Sequence, residues 1–103
     1  STTAVSGEQV PLSFSISQNY PNPFNPITNI NYSISTKAFV TMKVYNLLGQ
    51  KITELVSRNT APGQYSVNWD GTNQSGEQVP SGIYIYSIDT GEFQSSKKMI
   101  LIK

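Results

Sequence analysis

The chain has 103 residues, of which 13% are charged, a formal net charge of +1, and neither cysteine nor histidine. This length suffices for one domain with a modest core, and the missing residue types exclude disulfides, thiol nucleophiles, imidazole bases and zinc or copper sites with nitrogen or sulfur ligands. The near-neutral charge argues against nucleic acid as a partner, and no apolar run approaches the roughly 20 residues of a transmembrane helix.

The first residues differ in character from the rest of the chain. Residues 1–11 are small and polar without periodicity, which predicts a linker from an upstream region and a single domain over 12–103. The chain begins without methionine, and we interpret it as a piece of a larger protein, so the absence of a visible secretory signal peptide indicates little. Leu12, Phe14 and Ile16 then alternate with serines and predict a first short strand.

A proline-rich segment follows, consisting of Tyr20, Pro21, Asn22, Pro23, Phe24, Asn25 and Pro26. Its three prolines fix backbone φ and remove amide donors, which excludes a helix or a central strand. We predict a rigid corner in which Tyr20 and Phe24 close the end of the core. A polyproline ligand for an SH3-like groove is the alternative, but the interleaved asparagines favour turns.

Alternating apolar residues predict the next two strands. The residues expected to point inward are Ile30, Tyr32 and Ile34 in the second strand, and Val40, Met42 and Val44 in the third. Thr41, Lys43 and Tyr45 are expected on the opposite face of the third strand, and residues 35–38 form the turn between the two.

The pattern breaks at residues 46–49, where Gly49 suits a backbone with positive φ. A fourth strand is predicted over about residues 50–56, with an ambiguous register because Leu55 and Val56 are adjacent. Residues 58–63 are predicted to form a turn, since Pro62-Gly63 is a strong turn signal.

Two aromatic-rich runs give the strongest strand signal in the chain. The residues that share a face are Tyr65, Val67 and Trp69 in the first run, and Tyr84, Tyr86 and Ile88 in the second. They predict a pair of half-buried strands around which the core forms, because buried aromatic rings contribute the largest apolar areas. The residues we expect inside are Phe14, Ile30, Val44, Trp69 and Tyr84.

The chain ends in a hairpin turn at residues 89–91 and an apolar strand bracketed by lysines. No stretch has the spacing of an amphipathic helix. About seven short strands with turn signals every ~8–12 residues predict an all-β, immunoglobulin-like antiparallel sandwich, here without a disulfide.

Candidate chemistry is sparse. The loop after Trp69 carries the side-chain oxygens of Asp70, Asn73, Ser75 and Glu77, but its spacing departs from the EF-hand pattern, so no cofactor is predicted and calcium at the Asp70–Glu77 loop is the alternative. The acids are scattered, and without histidine the usual activated serine cannot form. We therefore predict that the chain is not an enzyme.

Exposed aromatic residues leave a binding function open. Tyr45 is predicted to point outward, and the strand around residues 83–88 is apolar on both faces. Either the Tyr84/Tyr86 face or the Ile83/Ile85 face is exposed, or a loop covers the strand on its second side. Outward tyrosines are typical of sugar platforms, so a carbohydrate-binding or adhesive accessory module of an extracellular enzyme is the alternative function.

The order of five segments resembles the type A C-terminal sorting domain of the type IX secretion system. The segments are Tyr20–Pro26, Val44–Gln50, Pro62-Gly63 with Trp69-Asp70-Gly71, Pro80–Tyr86 with Gly82, Tyr84 and Tyr86, and Lys97–Lys103. The resemblance covers about residues 14–103. The Ig-like domain of the flagellar hook-capping protein shares the Trp-Asp-Gly and Ser-Gly-Ile-Tyr segments and is similar over fewer motifs.

This resemblance implies a non-catalytic, monomeric signal domain of seven strands that directs an upstream cargo across the outer membrane. Its implied partners are the type IX translocon and a sortase-like peptidase that cuts the linker at residues 1–11. The implied route runs through the periplasm to the medium or the cell surface. The implied recognition residues are Lys97, Lys98, Met99, Ile100, Leu101, Ile102 and Lys103.

A terminal strand at a sheet edge offers a physical basis for such recognition. Its unpaired backbone groups can hydrogen-bond to an added strand of a partner, and edge lysines oppose self-association. The alternative interpretation of Lys97, Lys98 and Lys103 is that they only keep the edge soluble.

Overall fold

Seven strands in two antiparallel sheets make up the part of the chain that the computed structural model describes, residues 13–103. The strands are β1 (Ser15–Ile16), β2 (Thr28–Ile34), β3 (Ala38–Tyr45), β4 (Lys51–Thr60), β5 (Gly63–Trp69), β6 (Gly82–Asp89) and β7 (Gln94–Leu101). The three-stranded sheet has the order β1-β2-β5 and the four-stranded sheet the order β4-β3-β6-β7. The predicted Ig-like sandwich is confirmed, whereas the linker at residues 1–11 and Leu12 lie outside the described residues.

The core lies between the sheets and contains four of the five residues expected there. Ile30, Val44, Trp69 and Tyr84 are buried. Phe14 is only partly buried, and its ring stacks on Phe93 with 5.8 Å between centroids. The first strand pairs over just two residues at the sheet margin, so Phe14 packs at the rim of the core.

The two aromatic-rich strands do not pair with each other, and the prediction that they form a pair is wrong. β5 pairs with β2, whereas β6 lies between β3 and β7 in the other sheet. Trp69 and Tyr84 instead meet across the sandwich, edge to face, with 5.3 Å between ring centroids. Alternation reports which face of a strand is buried, but it contains no information about the neighbouring strand.

The orientation of β6 decides between the alternatives left open by the sequence. Tyr84, Tyr86 and Ile88 point into the core. Ile83 is 40% exposed and Ile85 is half-buried, so the second face is the outer surface of the four-stranded sheet. The interpretation that both faces of this strand are covered is therefore wrong.

β4 is longer than predicted and bulged. It runs to Thr60, which pairs with Ala38, so residues 58–60 belong to the strand and not to a turn. Met42 pairs with Val56 and the next residue of β3 with Glu54, which leaves Leu55 as an extra residue. This bulge explains the adjacent apolar residues that made the register ambiguous, because a bulge shifts the alternation by one position.

The proline-rich corner closes the core with Phe24 but not with Tyr20. Phe24 is buried, and its ring lies against Trp69 with 5.6 Å between centroids. Tyr20 is 81% exposed, so its predicted role in the core is wrong. The backbone of Tyr20 bridges to Asn29 of β2, and the buried neighbour Asn19 donates hydrogen bonds through its side chain to Thr28 Oγ1 at 2.9 Å and the carbonyl of Pro21 at 3.1 Å.

Candidate functional site

The C-terminal strand β7 contains most of the predicted recognition residues, and it is an edge strand among residues 13–103. Because side chains alternate between the two faces of the strand, some of these residues face the core and others face outward. Met99 and Leu101 are buried in the core. Lys98 and Ile100 pair with Ile85 and Ile83 on the outer face of the four-stranded sheet. The inward residues hold the strand in the fold, and the outward ones are available to a partner.

The three lysines of the segment point in different directions. Lys97 pairs with the inward-facing Tyr86, so it lies on the core side of β7 at the rim and is half-buried. Lys98 is exposed on the outer face. Lys103 follows the strand, and its backbone N–H donates to Ser81 Oγ at 3.0 Å. The three lysines therefore occupy different surroundings: the rim, the outer face and the residue after the strand.

The expectation of an open backbone edge is wrong for the second half of β7. The N–H of Phe24 donates to the carbonyl of Ile100 at 2.9 Å, and the N–H of Ile102 donates to the carbonyl of Phe24 at 3.0 Å. The N–H of Ile100 donates to Asn22 Oδ1 at 2.9 Å, and Gln18 Nε2 donates to the carbonyl of Lys98 at 2.7 Å. The proline-rich corner, together with Gln18 before it, therefore occupies the carbonyls of Lys98 and Ile100 and the amides of Ile100 and Ile102, which strand addition would use.

Sequence reasoning missed this attachment because it joins segments 78 residues apart. The prolines of the corner lack amide donors, but Phe24 stands between Pro23 and Asn25 and keeps its N–H. Asn22 supplies a side-chain acceptor beside it. The alternation of proline with Asn and Phe was the available signal, since it resembles a broken edge strand as well as a turn.

Gly71 of the Trp-Asp-Gly loop lies close to the same strand, β7. It has φ of +77°, and a Cβ placed on it would lie 3.4 Å from Leu101 Cδ2. A side chain at this position would be strained by the positive φ, and its Cβ would come into van der Waals contact with Leu101 of the C-terminal strand. Trp69 is fixed alongside, because its Nε1–H donates to the carbonyl of Thr72 at 2.9 Å.

The oxygen atoms of the Asp70–Glu77 loop are engaged in turn hydrogen bonds. Asn73 Oδ1 accepts the N–H groups of Ser75 and Glu77, both at 3.0 Å. Asp70 Oδ1 accepts the hydroxyl of Thr72 at 2.5 Å. Residues 13–103 contain no group of three or more Asp, Glu, His or Cys side chains placed to share a metal ion. The loop is a turn in which its own backbone N–H groups and the side chains of Thr72 and Asn73 supply the donors.

We expect calcium to bind the Asp70–Glu77 loop no tighter than about 10⁻⁵ M, the weak end of sensor sites. Isothermal titration of the chain with CaCl₂ measures this, with Asp70→Asn/Glu77→Gln as the matched variant. Tighter binding in the parent chain that disappears in the variant would show that the loop is a calcium site.

The core tyrosines use their hydroxyls internally. Tyr86 donates to the carbonyl of Ser17 at 2.6 Å and accepts the N–H of Asn19 at 2.8 Å, and Tyr84 donates to the carbonyl of Pro80 at 2.6 Å. Burial raises the pKa of Tyr86 to about 12, although the Asn19 hydrogen bond opposes the shift, and burial also raises the pKa of Tyr84. Neither ring is a sugar platform, and Tyr45 is left as the outward tyrosine of that sheet.

The sequence model of the FlgD Ig-like domain matches residues 27–92. The chain belongs to the FlgD Ig-like domain family. The match extends from the residue before β2 to the turn before β7. The proline-rich corner and β7, which are hydrogen-bonded to each other, both lie outside the stretch that this family describes.

Two solved structures share the fold. Dimeric latent PorU from Porphyromonas gingivalis matches with a TM-score of 0.68 and 19% identity, over 90% of this chain and 10% of PorU. PorZ, described as an essential bacterial surface component of the type-IX secretion system of the same organism, matches with a TM-score of 0.56 and 18% identity, over 87% of this chain and 11% of PorZ. The chain thus spans about a tenth of either protein.

Among curated proteins, none has a sequence that matches this chain. Within residues 13–103, no helix is long and apolar enough to cross a membrane.

Proposed function

We propose that residues 12–103 form a non-catalytic C-terminal sorting domain of the type IX secretion system, joined by a linker at residues 1–11 to an upstream cargo. The observation that carries this proposal is the attachment of the proline-rich corner to β7. These two segments distinguish the sorting-domain resemblance from the hook-cap Ig-like domain, they fall outside the Ig-like family match, and they form one hydrogen-bonded unit.

The fold comparison supports the same context. PorZ, which carries a segment of this fold, is a surface component of the type IX system. The family match to a small Ig-like domain and the lack of histidine and cysteine support a domain that acts through binding and not through catalysis. We propose the type IX translocon as the partner that reads it in the periplasm, followed by a sortase-like peptidase that cuts the linker and leaves the cargo at the cell surface or in the medium.

The structure narrows which residues such a reader would contact. Met99 and Leu101 are core residues, and the backbone of Ile100 is bound to the corner. The accessible parts of the segment are the side chains of Lys98, Ile100, Ile102 and Lys103 and the rim-facing Lys97. Recognition in the folded state therefore proceeds through side chains, and strand addition at this position would first require the corner to detach.

An export assay tests the assignment. Residues 1–103 are fused behind a signal peptide and a fluorescent reporter in a bacterium that carries the type IX system, and surface, medium and periplasmic fluorescence are measured. The intact domain should bring the reporter to the surface or medium. Replacing Lys97, Lys98 and Lys103 with serine should retain it in the periplasm, because the charges that a receptor recognises are removed.

The control variant is Lys37→Ser/Arg58→Ser, which removes charge at the opposite end of the four-stranded sheet and should be exported normally. The control variant should unfold within about 0.5 kcal/mol of the parent, since exposed charges contribute little to stability. Circular dichroism should show that the triple variant, which includes the half-buried Lys97, stays folded. If the reporter stays periplasmic with the intact domain, in cells that export their own cargo, the sorting assignment is wrong. The carbohydrate-binding alternative predicts two other results. The reporter would be exported equally well without the domain, and the domain would bind polysaccharide in a way that is lost when Tyr45 is replaced.

A further inference from the structure

Apart from Phe39 at the opposite end, the exposed and half-buried apolar side chains of the four-stranded sheet gather toward one end of its outer face. Ile83 pairs with Ile100, and Tyr45 pairs with Ile85. Because β3 and β6 are antiparallel, the residues after Tyr45 extend toward the level of Ile83. We name this surface the outer apolar patch, and it consists of Tyr45, Leu47, Leu48, Ile83, Ile85 and Ile100.

The most exposed members sit on a rigid hairpin tip. Leu47 and Leu48 are 62% and 84% exposed. Asn46 Oδ1 accepts the N–H groups of Leu48 at 2.9 Å and Gln50 at 3.0 Å, and the backbone N–H of Asn46 donates to the carbonyl of Gln50 at 3.0 Å. The turn is thus fixed by several bonds and holds both leucines away from the core. Solvent-facing apolar groups that are already ordered lose little entropy when they dock, and such patches are typical of binding surfaces.

The patch is continuous with the segment that the sorting machinery is proposed to read. Lys98 and Ile100 belong to β7 and lie beside Ile85 and Ile83 on the same face. Because the corner covers the backbone edge of β7, a partner that contacts Lys98 and Ile100 must approach across the outer face. Such an approach brings it over the outer apolar patch.

The charges around the patch indicate what kind of partner fits. Lys98 pairs with Ile85, Lys51 pairs with Tyr45, and Lys43 precedes Tyr45 by two residues on the same face. Glu54 lies 3.9 Å from Lys51 through Oε1 and offsets one of these charges. A second copy of the chain would bring lysines against lysines, which is repulsive. A surface with carboxylates at its border is complementary.

The shape of the patch favours a protein over a bilayer. The tip leucines are the most exposed members, whereas Ile83 and Ile100 on the sheet face are only 40% and 39% exposed. A partner that buries the whole patch must therefore reach the tip and the sheet face together. A contoured protein surface can cover both.

We propose that the outer apolar patch docks an apolar, acid-bordered surface on a protein of the export machinery, so that recognition extends beyond the C-terminal segment to the Leu47-Leu48 tip. This inference rests on the proposed sorting function and identifies the chemistry of the partner.

The test is the export assay with the variant Leu47→Ser/Leu48→Ser, which leaves residues 97–103 intact. Surface and medium reporter should fall about tenfold or more, because two leucine side chains lose their apolar contacts with the partner. The matched control is Ile27→Ser/Phe39→Ser, which changes two half-exposed apolar residues outside the patch and should be exported like the parent. Thermal unfolding of the purified chains should give the same midpoint for the tip variant and the parent.

Four outcomes are distinguishable. If the parent domain is not exported, the proposed function fails. If the parent and the tip variant are exported equally, the docking inference fails and the sorting function stands. Binding of the parent, but not the tip variant, to vesicles of equimolar phosphatidylglycerol and phosphatidylcholine would assign the patch to a membrane surface. A tip-dependent dimer in sedimentation velocity would assign it to self-association, and either of these last results overturns the proposed protein partner.

Discussion

Replacing Trp69 with alanine should lower the free energy of unfolding by about 3–5 kcal/mol, the range for removing a large buried aromatic side chain. Trp69 is 2% exposed and sits between the rings of Phe24 and Tyr84. The change also leaves the carbonyl of Thr72 without its indole donor. Since domains of this size are stable by about 5–15 kcal/mol, much of the total would be lost.

Urea unfolding followed by far-ultraviolet circular dichroism measures this effect, because the variant has no tryptophan fluorescence. Tyr20→Ala is the control, since it removes an exposed aromatic ring at the same end of the sandwich and should cost no more than about 0.5 kcal/mol. Equal midpoints for Trp69→Ala and Tyr20→Ala would contradict the central position of Trp69. A solvent-like emission spectrum of the folded parent would contradict it as well.

Alternation predicted most of the buried positions correctly. Val40, Met42 and Val44, for example, point inward on β3 as their spacing indicated. The physical reason is that side chains of a strand alternate between faces, and one face of each sheet here is dry. The same reasoning could not place β5 and β6 in different sheets, because pairing depends on loops and long-range packing.

The sequence predicted where the candidate strand lies in the sheet but not what covers its edge. The sequence placed the terminal strand at an edge, which the topology confirms for the described residues. It could not show that Asn22 and Phe24 hydrogen-bond to that edge, because a contact between segments distant in sequence produces no periodic pattern of residues. It also treated residues 46–49 as a simple break, although Leu47 and Leu48 are the most exposed members of the outer apolar patch.

β7 belongs both to the core and to the proposed recognition surface, and this limits which changes can test the proposal. Met99 and Leu101 are buried in the core, and Leu101 also lies against Gly71. Deleting residues 97–103 would therefore damage the fold and the proposed recognition surface together. Substitutions at outward positions such as Lys98 and Ile100 separate the two effects, because these side chains contribute little to the core.

Replacing Phe24 with alanine should also cost about 3–5 kcal/mol, and it should loosen the C-terminal strand before the rest of the sandwich. The Phe24 ring packs on Trp69, while its backbone exchanges two hydrogen bonds with Ile100 and Ile102. Without the ring, the corner loses the contact that holds its backbone beside β7. Asn22→Ala, which removes only the acceptor for the Ile100 amide, should cost about 1 kcal/mol.

Amide hydrogen exchange separates these effects. In Phe24→Ala the amides of Ile100 and Ile102 should exchange faster by a larger factor than the core amides of β3, because local detachment of the corner exposes them without global unfolding. Asn25→Ala, a change at an exposed residue of the same corner, should leave both amides as slow as in the parent. If Phe24→Ala accelerates every amide by the same factor, the corner and β7 open only with the whole domain. A partner could then contact the C-terminal strand of the folded domain only through its outward side chains.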